Sequence, residues 1–193
     1  MNVEGGRQLI ALAGLPGTGK STLAGALAPA LGAPVFSKDV VRAALFGPDH
    51  VEHSREQDGL CVEFTYRAAE FHLRPSAMAA PGTGGARAAI LDGRTYSRRE
   101  QVEALRAFAS RIAAPLLLVE CVCSEASAHE RLARDAALGE HSAADRGPEL
   151  HRRLREAADP LPPPKLVIDT DRLPLAEQVA AVLAALAPAR LAN

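Results

Sequence analysis

The chain has 193 residues, 48% hydrophobic and 23% charged, with a formal net charge of −1. That length supports a single domain with a sizeable core, and the near-even balance of 22 basic against 23 acidic residues excludes a strong general attraction for nucleic acid or anionic membrane. The three cysteines, Cys61, Cys121 and Cys123, do not have the number or spacing of a disulfide framework, which points to a reducing, cytoplasmic setting.

The amino-terminal stretch to Gly6 is short and polar and does not read as a signal peptide. Gln8-Leu9-Ile10-Ala11-Leu12-Ala13 predicts a short buried strand, and Ser21 to Leu31, with Leu23, Leu27 and Leu31 four apart, predicts a helix that Pro29 shortens or kinks. Between them, Gly14-Leu15-Pro16-Gly17-Thr18-Gly19-Lys20-Ser21-Thr22 fits G-x-x-x-x-G-K-[ST]. The glycines let the backbone curl so that its N–H groups converge on phosphate oxygens. Lys20 is long enough to reach β and γ phosphates, Ser21 can ligate Mg²⁺, and the following helix adds its positive end. Gly14, Pro16, Gly17, Thr18, Gly19, Lys20, Ser21 and Thr22 are therefore the candidate nucleotide-binding set.

Four further apolar runs predict strands at Pro34–Ser37, Ala88–Asp92, Leu116–Val122 and Leu166–Asp169. A long insertion, 46 to 87, separates the second and third; Glu56 to His72 reads as helical, and Pro75 and the glycines at 82–85 read as a connector. After the fourth strand a helix is expected over Glu125–Leu138 with Ser124 as cap, then a polar break, a helix opened by Pro148 and running to Ala158, and a stiff proline-rich connector at 159–164. The last helix is expected over Leu175–Leu186. Strands alternating with helices predict an α/β fold, a parallel sheet covered on both faces. Ligands in such folds sit at the carboxyl ends of the strands.

That edge collects the polar residues. Asp39 follows the second strand, where it is either the general base for an acceptor hydroxyl or a first-turn helix charge. Arg42, one turn on, would hold an anionic group of an acceptor or lie solvated on the surface. Asp92 ends the third strand as a candidate for Mg²⁺ or for an acceptor hydroxyl, the alternative being a strand-end turn residue, and Arg94 is a further substrate-binding candidate. Arg131 and Arg134, three apart on one helix, and Arg146 after the break are candidates for a lid over the transferring phosphate, or for a salt-bridged surface helix. Thr170 at the end of the fifth strand would border an adenine pocket. Cys121 and Cys123 read as packed thiols, and the six histidines, His50, His53, His141 and His151 among them, form no ligand cluster.

Taken together, GLPGTGKSTLA, SKDVVR, ILDGRTYSRREQ, the ERLARD helix and LVIDTD, spanning residues 8 to 171, resemble the small P-loop kinases. The resemblance is to the ATP-dependent kinases grouped under the AAA-domain name, with chloramphenicol phosphotransferase, the zeta-toxin kinases and the bacteriophage polynucleotide kinase domain as more distant relatives. It implies a five-stranded P-loop NTPase sheet in the order 2-3-1-4-5, ATP and Mg²⁺, Asp39 as general base and Arg134 as lid arginine. It further implies one kinase domain over 1–193, with 46–87 as acceptor-binding insertion and 125–158 as lid region.

The expected activity is transfer of the γ-phosphate of ATP to a hydroxyl of a small-molecule acceptor, with Lys20, Asp39 and Arg134 catalytic. Asp39, Arg42, Asp92 and Arg94 would line the acceptor site, and Arg131 and Thr170 would contact the nucleotide. A polynucleotide 5′-hydroxyl kinase and a nucleotide-dependent regulatory ATPase remain the alternatives. The near-neutral charge disfavours the first, and an acceptor base disfavours the second.

Overall fold

The computed structural model describes residues 7–52, 54–74, 87–138 and 148–186. The expectations placed on His53, Pro75, the glycines at 82–85, His141 and Arg146 fall outside them. The strands are β1 (Arg7–Ala13), β2 (Val35–Ser37), β3 (Arg87–Asp92), β4 (Leu116–Val122) and β5 (Leu166–Asp169). The helices are α1 (Lys20–Leu31), α2 (Lys38–Phe46), α3 (Arg55–Leu73), α4 (Arg99–Arg111), α5 (Glu125–Leu138), α6 (Pro148–Glu156) and α7 (Leu175–Leu186).

All strand pairs are parallel and the sheet order is β2-β3-β1-β4-β5. The central strand, β1, runs Ile10 against Ile90 of β3 on one side and against Leu117 of β4 on the other. Alternate β1 side chains serve opposite faces, as the period of two requires. Leu9, Ala11 and Ala13 join Leu91, Val102, Leu105 and Phe108 in the core beneath α3 and α4. Ile10 and Leu12 join Leu23, Leu27, Ile168 and Val182 beneath α1 and α7. The central strand is thus apolar on both faces because both faces are covered.

Local signals account for several helix ends. Gly32, in the left-handed region at φ 59°, closes α1 and sends its N–H to the Pro29 carbonyl, and the helix runs through Pro29 to Leu31. Ser54 caps α3 by accepting from the Gln57 N–H at 3.2 Å, and Ser124 caps α5 by accepting from the Ser127 N–H at 3.2 Å. Helix α4 differs. Its preceding residue, Arg98, offers no side-chain cap. Asp159, from the proline-rich connector, instead accepts from the Arg99 N–H at 2.9 Å, while Arg106 donates to the carbonyls of Pro162 and Pro163 at 2.9 and 2.7 Å. The connector is therefore pinned along α4. Helix α6 ends at Glu156, two residues short of the expected Ala158.

Within the described residues no helix is long and apolar enough to cross a membrane. Leu12 is fully buried at the centre of the sheet. Leu12→Ala is expected to lower unfolding free energy by about 2–5 kcal/mol, read from the urea midpoint.

Candidate active site

The segment from Gly14 to Gly19 leaves β1 in a path that side chains would obstruct. Gly14 has φ +133°, and a Cβ there would lie 2.3 Å from the Cys121 carbonyl oxygen; at Gly17, φ +79°, it would lie 2.6 Å from the Ala128 carbonyl oxygen. Glycine is required at both positions by backbone geometry and by close approach. The Gly14 N–H donates to the Thr95 carbonyl at 3.1 Å, tying the loop to the β3–α4 connection.

Three successive carbonyls of the loop accept from side chains of three helices. Lys20 Nζ donates to the Leu15 oxygen at 2.8 Å. His151, on α6 and 3% exposed, places Nδ1 2.9 Å from the Pro16 oxygen. Arg131, on α5, donates to the Gly17 oxygen at 3.3 Å. Lys20, His151 and Arg131 thus fix the carbonyls of three consecutive loop residues.

The same Arg131 donates to Thr170 Oγ1 and Asp171 Oδ1, both at 2.9 Å. Thr170 in turn donates to the Thr18 carbonyl at 3.2 Å, so β5, α5 and the loop form one braced unit. The Ser124 N–H and hydroxyl beside Asp171 hold its carboxyl below the usual range and keep it ionised opposite Arg131. Arg134, three residues on, is exposed.

On the other flank, Ser21 Oγ donates to Asp92 Oδ2 at 2.9 Å. Asp92 is only 6% exposed, and its Oδ1 is buried with no hydrogen-bond partner. A buried carboxylate oxygen left unsatisfied is costly unless a ligand completes it, and a serine hydroxyl joined to a carboxylate at the start of α1 is an all-oxygen donor set suited to Mg²⁺. The residues fit that ion. No group of three or more His, Cys, Asp or Glu side chains forms an alternative metal site among the described residues.

Asp39 stands next to this pair. A Cβ on Gly93, the residue after Asp92, would lie 3.1 Å from Asp39 Oδ2. Arg42 Nη1 is 3.5 Å from Asp39 Oδ1, and Arg42 Nη2 donates to Asp58 Oδ1. Lys38 Nζ donates to the same Asp58 oxygen at 3.1 Å. Arg42 is 3% exposed, which corrects its expected surface alternative: the guanidinium is sandwiched between the carboxylates of α2 and α3. Arg94 is half-buried, with its guanidinium 5.6 Å from the centre of the Tyr96 ring.

The structure thus brings Lys20, Ser21, Asp39, Arg42 and Asp92 together, sets Arg131 and Thr170 against the loop, and leaves Arg134 outward. Sequence reasoning missed Asp58, Asp171 and His151. The signal for α3 was present in Ser54 and Gln57, three residues apart at a helix start, but nothing local marks Asp58 as a partner for Arg42. Cys121 is fully buried, and burial pushes its thiol up to about 11, whereas Cys123 is half-buried beside the loop. Between the loop and α6 lies a cavity of about 240 Å³, bordered by Leu15, Tyr96, Cys121, His151 and Asp159.

The profile of an AAA-domain family matches residues 9–161. Among curated proteins none matches this chain in sequence. Among solved structures, the chain is similar to a provisionally assigned kinase from Chloroflexus aurantiacus at TM-score 0.71 and 24% identity, covering 93% of this chain and 98% of that one. It is similar to an APS kinase from Mycobacterium tuberculosis, in complex with AMPPNP and APS, at TM-score 0.65 and 17% identity, covering 93% and 96%. It is also similar to a gluconokinase from Sinorhizobium meliloti at TM-score 0.61 and 19% identity, covering 93% and 91%. At these identities the likeness establishes the fold alone.

Gly14→Ala is expected to cost about 1–3 kcal/mol from backbone conformation alone. The clash with the Cys121 carbonyl adds to that, so the melting temperature should fall well below that of a Gly25→Ala control, whose added methyl meets nothing within 4 Å.

Proposed function

The chain belongs to the AAA-domain family, and from that premise we propose that it is an ATP-dependent kinase that transfers the γ-phosphate to a hydroxyl of a small-molecule acceptor. The observation that carries the reading is the contiguity of three groups. Ser21 of the phosphate loop bonds Asp92, and the carboxylate of Asp39 lies against Gly93 at the next position. Loop, metal-ligand pair and candidate base therefore share one edge of the sheet.

In this mechanism the loop N–H groups and the N-terminus of α1 hold the polyphosphate. Lys20 exchanges its bond to the Leu15 carbonyl for the β and γ phosphates. Ser21 and Asp92 would hold Mg²⁺, which supplies charge neutralisation to the phosphates when bound. Asp39 accepts the proton of the acceptor hydroxyl as that oxygen bonds to the γ phosphorus and the bridging oxygen departs with ADP. Arg131 keeps the loop docked against Thr170, with Thr170 beside the nucleotide. Arg134, exposed on the same helix, serves as the lid arginine of the 125–158 region for the transferring phosphate, and Arg146 is a further candidate for that role. The 46–87 insertion, through α3, contributes the acceptor side. Arg94, placed by Tyr96, borders that side.

Two variants test the assignment. Lys20→Ala is expected to lower kcat/KM by about 10²–10³-fold, since it removes the cation from the charge that develops in transfer; normal turnover would end the phosphate-loop reading. Asp39→Asn is expected to keep nucleotide affinity while losing about 10²–10⁴-fold in acceptor phosphorylation. ADP release measured against a panel of hydroxyl compounds is the direct assay. A rate indifferent to every small molecule but raised by a protein partner would favour the regulatory ATPase, and transfer restricted to nucleic-acid ends would favour the polynucleotide kinase.

A further inference from the structure

The acceptor side of the cleft is layered by charge. Lys38, Asp39 and Arg42 come from α2 and Asp58 comes from α3. Their side chains are unequally accessible: 12% for Lys38 and 4% for Arg42, against 27% for Asp39 and 45% for Asp58. The cations form the inner layer and the carboxylates the outer one. Arg42 links the two carboxylates, with Nη1 toward Asp39 and Nη2 bonded to Asp58, and Lys38 shares the bonded Asp58 oxygen. The surface offered to an incoming molecule is therefore hydrogen-bond-accepting, with its positive charge already engaged behind it.

This arrangement discriminates. A carboxylate or phosphate on the acceptor reaches Arg42 only by displacing Asp58, at the loss of charge-assisted hydrogen bonds from both Arg42 and Lys38. It would also lie close to Asp39, where like charge is repelled. A hydroxyl or ammonium donor meets no such obstacle. It bonds an outer carboxylate while Lys38 and Arg42 stay in place, and site and ligand are both satisfied.

We propose that Asp58 is a specificity-determining residue that binds a second donor group of the acceptor, beside the hydroxyl taken by Asp39. The enzyme then selects neutral polyhydroxyl or amino-alcohol acceptors and rejects those bearing carboxylate or phosphate. The inference rests on the kinase reading of this cleft and goes beyond it by naming the acceptor class. It also replaces the expectation that Arg42 grips an anionic group directly.

The test uses the full chain with ATP and Mg²⁺ and three matched sets of acceptors: polyols and neutral sugars, amino sugars, and sugar acids with sugar phosphates. ADP release gives kcat and KM for each, and nucleotide binding is measured separately by calorimetry. The wild type is expected to favour a donor-rich set by about tenfold or more in kcat/KM over its anionic counterparts. Comparing polyols with amino sugars identifies whether the second donor is hydroxyl or ammonium. Asp58→Asn removes the outer charge and leaves Lys38 and Arg42 less compensated. It should raise KM for donor-rich acceptors by about tenfold and improve the relative turnover of the anionic set, so the preference narrows or inverts. Asp58→Ser, checked for folding by thermal melting, should move the ratio in the same direction. A residue that merely held α3 to α2 would lower every set alike. Preference of the wild type for anionic acceptors, an unchanged ratio in both variants, or no turnover of any donor-rich acceptor by the nucleotide-bound enzyme would overturn the proposal. Phosphorylation confined to sugar acids sinks it while the kinase reading stands; absence of nucleotide binding removes both.

Discussion

The structure depends on the packing of one backbone segment against another. The loop after β1 crosses so near to β4 and α5 that the Cys121 and Ala128 carbonyls occupy the space that β-carbons of Gly14 and Gly17 would need. Everything at the carboxyl edge is referenced to that contact. It sets where α1 begins, and so where Ser21 meets Asp92. It also presents three carbonyls to Lys20, His151 and Arg131. Two of those donors come from α5 and α6, so the helices proposed to act as a lid are already hydrogen-bonded to the segment they would cover. A change of their position is thereby coupled to the loop through specific bonds rather than through general proximity.

The electrostatics differ on the two sides of the loop. Toward β5, Arg131 is paired with Asp171 and bonded to Thr170, which holds the guanidinium in position. Toward β2, the buried guanidinium of Arg42 is matched by two carboxylates. A buried cation lacking partners would carry a large desolvation cost, which Asp39 and Asp58 help to offset. The same physical need that stabilises α2 against α3 supplies the carboxylate surface at the cleft. Structural and chemical roles are therefore joined in one ion-pair cluster, and removing either carboxylate alters both.

Legibility in the sequence followed the range of the interactions concerned. Strands β4 and β5 and helices α5 and α7 have the bounds that their apolar runs and caps predict, because Leu, Val and Ile at a buried position and a serine before a helix act within a few residues. The phosphate loop was legible for the same reason. The strand order came from resemblance, since parallel pairing joins segments whose contact leaves no local mark. Helix α4 was not singled out: its capping carboxylate is Asp159, 60 positions away. His151 and Pro16, 135 positions apart, and Asp58 with Arg42 belong to that class. Charged residues on a helix read as solvated surface until the fold shows which of them lie beneath a neighbour.

That distinction bears on how a shared scaffold reaches different acceptors. The nucleotide half of the cleft is made largely of backbone, whose N–H and carbonyl groups are supplied by any sequence that can trace the loop. The proposed acceptor half is made of side chains, and its character is set by which of them are covered. Arg42 taken from the sequence alone would hold an anionic group of an acceptor; with Asp58 bonded to Lys38 and Arg42, the same surface is hydrogen-bond-accepting. The sign of the surface follows from a helix that lies between β2 and β3 in the chain and packs against both. Substitution on that helix can change the chemistry presented to an acceptor while every residue of the phosphate loop, and the bond between Ser21 and Asp92, remains as it is.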